Sequence, residues 1–330
     1  MIRLKEELKK NIFRPVYLFY GEEQYLLNYY LGEIQKKLIP ADCEIMNMSL
    51  FEGEDILADQ IIESAQAVPF MNDKRLIIVK NSGFFTAKRK KDAELIYSFL
   101  DDIPAFTCLI FVEDNIDKKN KLYKKFDKMK FAVEFELPKE QELLVWIGRK
   151  FKKNNKDIDQ RTSLYLVRTV GRSMVDLENE INKLISYKED NNIITIEDID
   201  KVCIKSLESH IFDLLKAMGY KKTDEALKIY SNLINNKEHP IKILSMITRQ
   251  IRLILQVKYL SEQGFNAKKI SESIKEPFFV VNDCLKQAQL FTLDKLKEGI
   301  NDCLETDIAS KTGKMDPNLA VEIFLVEFSK

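Results

Sequence analysis

The sequence predicts a parallel-sheet α/β domain followed by two all-helical domains, and three observations carry that expectation. Short apolar runs alternate with helical patterns as far as Pro138. Runs such as RLIIVK and TCLIFVED are apolar on both faces, as strands covered by helices on each side must be. Beyond Pro138 strand-like runs stop and only helical periodicity is left. The length of 330 residues suits two or three domains. Ten glycines in the whole chain favour long helices over a sheet-only fold.

In the first third, strands are expected at residues 16–20, 44–50, 76–79, 108–112 and 132–137. Helical patterns fall between them at 23–38, 55–67, 92–100 and 118–129. The first strand, Val16 to Tyr20, ends at Gly21, and EEQYLLNYYLGEIQKKL follows with helical spacing. Strand, glycine, helix is the frame of a phosphate-binding loop, in which bare amides hold phosphate and a Gly-Lys-Ser/Thr supplies cation and magnesium ligand. Here Glu22 and Glu23 follow Gly21 and repel phosphate, and neither lysine nor hydroxyl stands where the grip belongs. An ordinary β–α turn fits the same residues equally well.

After Pro138, residues 140–153 place Leu143, Leu144, Ile147 and Phe151 on one stripe, with Trp146 beside them. Two helices follow at 159–170 and 174–187, separated by Gly171 as a stop. Thr195 caps the next helix, with Asp198 three residues on. From Ser206 only helices are expected: 211–218, 223–234, 240–262, 266–274, 277–289, 293–312 and 318–328. Pro240 and Pro277 suit first helical turns, where a missing N–H does no harm. The domain plan is therefore 1–139, 140–205 and 206–330.

Composition excludes several functions. Fifty-two basic residues balance 52 acidic ones, so net charge exerts no broad pull toward nucleic acid or an anionic membrane. Neither a cleavable leader nor a bilayer-length apolar run is present, so a cytoplasmic protein is expected. Cys43, Cys108, Cys203, Cys284 and Cys303 lie far apart without a CxxC and read as reduced core residues. His210 and His239, the only histidines, have no nucleophile or acid pair nearby. Asp307, Lys311, Lys314 and Asp316 suit packing and salt bridges. No catalytic constellation, metal site or cofactor is expected.

Two segments invite opposing readings. Pro69 disfavours helix at Val68, so Phe70 and Met71 either project as an apolar plug or tuck beneath the sheet as core. Periodicity alone favours the core. Residues 118–130, KKNKLYKKFDKMK, hold seven lysines and one aspartate, with Leu122, Phe126 and Met129 on one helix face. That pattern is commonly a solvated face. Contact with a DNA backbone through Lys118, Lys121 and Lys125 is the alternative.

Three segments together resemble the delta subunit family of the bacterial DNA polymerase III clamp loader. They are PVYLFYGEEQYLL at 15–27, GRSMVDLENEINKLISY at 171–187, and a C-terminal set made of HPIKILSMITRQIRLILQVKYL, KEPFFVVNDCLKQAQLF and DIASKTGKMDP. The resemblance runs end to end and implies an AAA+-like first domain that hydrolyses no ATP. The Ser-Arg-Cys triplet that carries the arginine finger of sister subunits occurs nowhere here. Enzymatic character would come only by association, as part of a DNA-directed DNA polymerase (a nucleotidyltransferase). The resemblance also implies clamp opening by apolar side chains of the first domain, which assigns Val68, Pro69, Phe70 and Met71 to clamp binding. Pro69-Phe70 stands where the family often has Leu-Phe, so Phe70 carries that assignment. Implied partners are the beta sliding clamp, the gamma/tau motor subunits and delta-prime through a C-terminal collar, and primer-template DNA in the assembly. The competing expectations are an atypical AAA+ ATPase using Glu22, Glu23 or Arg172, and a helical DNA-binding protein using the lysine-rich helix.

Overall fold

In the computed structural model, which describes residues 2–188 and 192–330, one unit comprises Met1–Pro138 and a second Lys139–Lys330. The first unit opens with α1 (Ile2–Lys10), β1 (Val16–Tyr20), α2 (Gln24–Leu38) and a 3-10 turn at Ala41–Cys43. There follow α3 (Glu44–Asn47), β2 (Met48–Glu52), α4 (Ala58–Gln66), β3 (Arg75–Lys80) and α5 (Lys90–Phe99). It closes with β4 (Thr107–Glu113), α6 (Lys121–Lys128) and β5 (Ala132–Glu134). The five strands run in the order β2-β3-β4-β1-β5, and every neighbouring pair is parallel. This is the expected α/β domain.

Alternation along the strands explains why they read as apolar on both faces. Val16, Leu18, Ile77, Val79, Leu109 and Phe111 form one core with Ile61 and Ala65 of α4, Ile96 of α5 and Phe126 of α6. Tyr17, Phe19, Leu76, Ile78, Cys108 and Ile110 form the other with Leu4 of α1 and Leu27 and Ile34 of α2.

Residues 44–50 are not one strand: the first four form α3, and β2 starts at Met48, where it pairs with Leu76. β5 is shorter than expected, ending at Glu134. α1 has no counterpart among the expected elements. Its charged surface conceals Leu4 and Leu8, four residues apart, which the sheet buries.

The second unit begins with α7 (Glu140–Lys153), β6 (Asp157–Ile158), α8 (Gln160–Val170), α9 (Met174–Tyr187), β7 (Ile193–Ile194) and α10 (Ile196–Val202). It continues through α11 (Leu207–Gly219), α12 (Thr223–Asn235), α13 (Pro240–Glu262) and α14 (Ala267–Ile274). The last helices are α15 (Phe278–Ala288), α16 (Leu293–Lys311) and α17 (Pro317–Phe328). Strands do not end at Pro138 after all: β6 and β7 pair in parallel, Asp157 with Ile193 and Ile158 with Ile194. Two residues are too few to display a period of two, which is why the sequence hid them.

Gly171 caps α8 at φ 97°, a conformation that excludes most other residues. Thr195 and Asp198 form a reciprocal cap on α10: the Thr195 N–H donates to Asp198 at 2.8 Å, and the Asp198 N–H donates to Thr195 Oγ1 at 3.4 Å. Pro240 occupies the first turn of α13, but Pro277 lies one step outside α15 as its N-cap, at ψ 150°. Ile243, Ile247, Ile251 and Ile254 of α13 repeat at helical spacing and centre a core that draws on α11 through α17. Cys43 and Cys203 are only half-buried, whereas the other three cysteines are buried, and all five are free thiols. Among the described residues no helix is long and apolar enough to cross a membrane.

Candidate functional site

α4 ends where Pro69 requires it: the Ala67 N–H closes the last turn on Glu63 O, and Ala67 itself is extended at ψ 128°. The chain then crosses to β3 through Val68, Pro69, Phe70, Met71 and Asn72. Phe70 is 59% exposed, Met71 83% and Val68 77%, with Pro69 half-buried. Phe70 and Met71 are therefore not core.

The loop is held from beneath. Asn47, fully buried at the end of α3, accepts the Phe70 N–H at 2.7 Å and donates from Nδ2 to the Phe70 carbonyl at 2.8 Å. The same Nδ2 donates to Cys43 O at 3.1 Å. Asn72 donates to Leu38 O at 3.2 Å and to Lys74 O at 2.7 Å, bracketing the far side. Arg75 ties the neighbouring helices together, donating to Ser64 O of α4 at 2.7 Å and to Met46 O of α3 at 3.0 Å. Met71 sits at φ 50°, a left-handed conformation costing a side chain about 1 kcal/mol. α3 itself presents Ile45, 92% exposed, and Met46, 60% exposed. Residues 44–50 read as a strand in sequence, because the single helical turn of α3 carries no period.

The phosphate-loop frame is filled by the chain's own groups. Gly21 adopts φ 131°, and a Cβ there would stand 2.3 Å from Phe135 O. The Glu23 N–H donates to that same carbonyl at 3.0 Å, and the Phe135 N–H donates to Tyr20 O at 2.7 Å. The Glu23 side chain turns back on its helix, where Oε1 accepts the Tyr25 N–H at 3.0 Å. Burial pushes the Glu23 carboxyl up from its ordinary value, while the Tyr25 and Leu26 amides pull it down. Glu22 points to solvent. The amides and helix terminus that would receive a phosphate are thus already engaged.

At the end of β4, Glu113 is a residue that sequence reasoning missed, since its position in an apolar run looks like a strand terminus. It is 2% exposed and accepts the Ser82 N–H at 3.0 Å, the Ser82 hydroxyl at 2.5 Å and the Gly83 N–H at 3.4 Å. Burial pushes its pKa up to about 7, against the pull of the Ser82 and Gly83 donors and with a small push from Asp114. A folded-state value above the ordinary 4.5 means that the native state holds the proton longer than the unfolded chain. Glu113 is therefore expected to favour folding below pH 4.5 and to lose that contribution as pH rises through about 7. The change is at most about 3 kcal/mol. Urea unfolding of wild type and Glu113→Gln at pH 5 and pH 8 checks this. The glutamine variant gains on wild type as pH rises, and a pH-independent difference contradicts the assignment.

The lysine-rich helix buries Leu122, Tyr123 and Phe126, while Met129 is half-buried. Lys118 pairs with Glu134 at 3.0 Å. Lys125 is largely buried, bonded to Asp101 and to Tyr97 O, each at 2.7 Å. Lys121 projects into solvent. The expected trio does not form one outward cationic face. Arg172 is half-buried just after Gly171 in the second unit. Among the described residues no group of three or more His, Cys, Asp or Glu is placed to hold a metal ion.

Residues 17–136 match the family model "DNA polymerase III, delta subunit", and residues 208–328 match the model "DNA polymerase III delta subunit, C-terminal domain". The DNA polymerase III subunit delta of Bacillus subtilis (strain 168) is 32% identical over 332 residues, covering 98% of this chain and 96% of the relative. A probable DNA polymerase III subunit delta of Aquifex aeolicus (strain VF5) is 22% identical over 271 residues, covering 78% and 75%. A solved structure of the Bacillus subtilis DNA clamp loader delta protein superposes with TM-score 0.67 at 32% identity, covering 99% of each chain.

Proposed function

Because the chain belongs to the DNA polymerase III delta subunit family, we propose that it is the clamp-loader subunit that binds and opens the sliding clamp without hydrolysing ATP. The observation that carries this reading is the exposure of Phe70 and Met71 on a loop whose backbone is fixed from inside. An exposed aromatic on a rigid support suits insertion into an apolar pocket, since little freedom is lost on binding. Val68 and Pro69 flank the plug. Immobilising the full chain and passing the cognate clamp over it, without motor subunits, tests the reading. Retention of the clamp is expected, and failure to retain it overturns the proposal.

The filled phosphate frame supports the absence of hydrolysis. Gly21, Glu22 and Glu23 supply no lysine and no magnesium hydroxyl, and Glu23 caps the helix that would face phosphate. The isolated protein is expected to turn over no ATP above background and to bind MgATP no more tightly than an unrelated protein. Turnover that disappears on replacing Glu22 and Glu23 would favour the atypical ATPase instead.

Assembly falls to the C-terminal helices. Leu304 and Ile308 of α16, and Leu319 and Ile323 of α17, are exposed at i, i+4 spacing, which suits a helical neighbour. We assign gamma/tau and delta-prime contacts to this collar, residues 206–330, and keep 1–139 and 140–205 as the clamp-binding and small helical domains. The core around α13 begins at Ile211, in keeping with that division. Primer-template DNA would be met in the assembled complex, in the cytoplasm, where Lys121 and Lys118, the latter paired with Glu134, are the exposed lysines of the expected trio.

A further inference from the structure

We infer that Asn47 is the positioning residue of the clamp-binding loop: its buried amide holds the Phe70 backbone so that the Phe70 side chain is presented to the clamp before the two proteins meet. This rests on the clamp-binding reading of Phe70. The side chain of Asn47 is 0% exposed, and it serves Phe70 as the edge of a neighbouring strand would. Oδ1 takes the Phe70 N–H at 2.7 Å and Nδ2 supplies the Phe70 carbonyl at 2.8 Å. The remaining donor of Nδ2 anchors the amide to Cys43 O at 3.1 Å, which fixes the orientation of the amide plane.

A loop that displays apolar side chains has no burial of its own to order it. Phe70, 59% exposed, belongs to neither core of the first unit, and Met71 is held at φ 50°. The order of this segment therefore comes from polar bonds to its backbone, and Asn47 provides both of those made by Phe70. Without them the loop samples more conformations, and binding must first restore the productive one.

Binding of full-length variants to the cognate clamp, together with hydrogen exchange of the free protein, tests this. Asn47→Ala is expected to weaken clamp affinity about tenfold through lost preorganisation. The Phe70 amide should exchange far faster, while the amides of β1 and β4 keep their protection. Asn47→Asp keeps the acceptor for the Phe70 N–H but turns an oxygen toward two carbonyls, so it is expected to weaken binding at least as much. Where alanine lowers the yield of folded protein, Asn47→Ser replaces it under the same criteria. In a Phe70→Ala background the Asn47 substitution should change affinity less than about twofold, because the two residues act as one. Equal weakening in both backgrounds overturns positioning, as does unchanged affinity of the Asn47 variants when Phe70→Ala binds weakly. If Phe70→Ala itself binds normally, the clamp-binding reading of the loop fails and takes this inference with it.

Discussion

Replacing Phe70 with alanine is expected to weaken clamp binding at least tenfold and to leave the melting temperature nearly unchanged. A central aromatic anchor of an interface is worth more than about 1.4 kcal/mol, which is a factor of ten in affinity. Stability should hardly respond, because a side chain 59% exposed leaves no cavity behind. A buried phenylalanine would behave in the opposite way, losing about 3–5 kcal/mol of stability. Both quantities measured on one variant separate the possibilities. A large loss of stability with normal affinity per folded molecule would remove Phe70 from the interface.

Gly21→Ala is expected to be the most damaging small substitution in the first unit. The added Cβ would lie 2.3 Å from Phe135 O, with Phe135 C and N both at 2.8 Å, and all three are backbone atoms. A flexible side chain can swing aside, but this segment cannot. Its carbonyl receives Glu23, and its amide donates to Tyr20 beside the β1–β5 pairing. Relief of the clash breaks one or both bonds, and φ 131° is itself strained for alanine. A loss of at least about 3 kcal/mol follows, about 10 °C in melting temperature for a unit of this size. Thermal and urea unfolding measure it. A variant within about 1 kcal/mol of wild type would mean that β5 does not pack against this turn as described.

The filled phosphate frame shows how far residue identity reaches. That two acids follow Gly21, and that neither lysine nor hydroxyl stands where the grip belongs, is plain from the string of letters. That the Glu23 carboxylate caps α2, and that its amide is taken by Phe135, depends on β5 being parallel to β1 more than a hundred residues away in sequence. The lysine-rich helix divides in the same way. Its amphipathic spacing was readable, but the pairing of Lys118 with Glu134 and of Lys125 with Asp101 required neighbours brought in by the fold.

By itself, the sequence determined the parallel sheet through runs apolar on both faces, most of the helices of the second unit through their period, and the caps at Gly171 and Thr195. The helices and caps rest on interactions within a few residues, and a strand buried on both faces shows itself by its own apolar run, so local pattern suffices to recognise them. Only the tertiary structure decided that Phe70 is exposed while Leu4 is buried, that residues 44–47 turn into α3, and that Glu113 is sealed against Ser82. It alone paired β6 with β7 as well. Each of these outcomes depends on which distant segment covers or bonds a short stretch of chain, and a stretch of two to four residues is too short to record its cover in its own spacing.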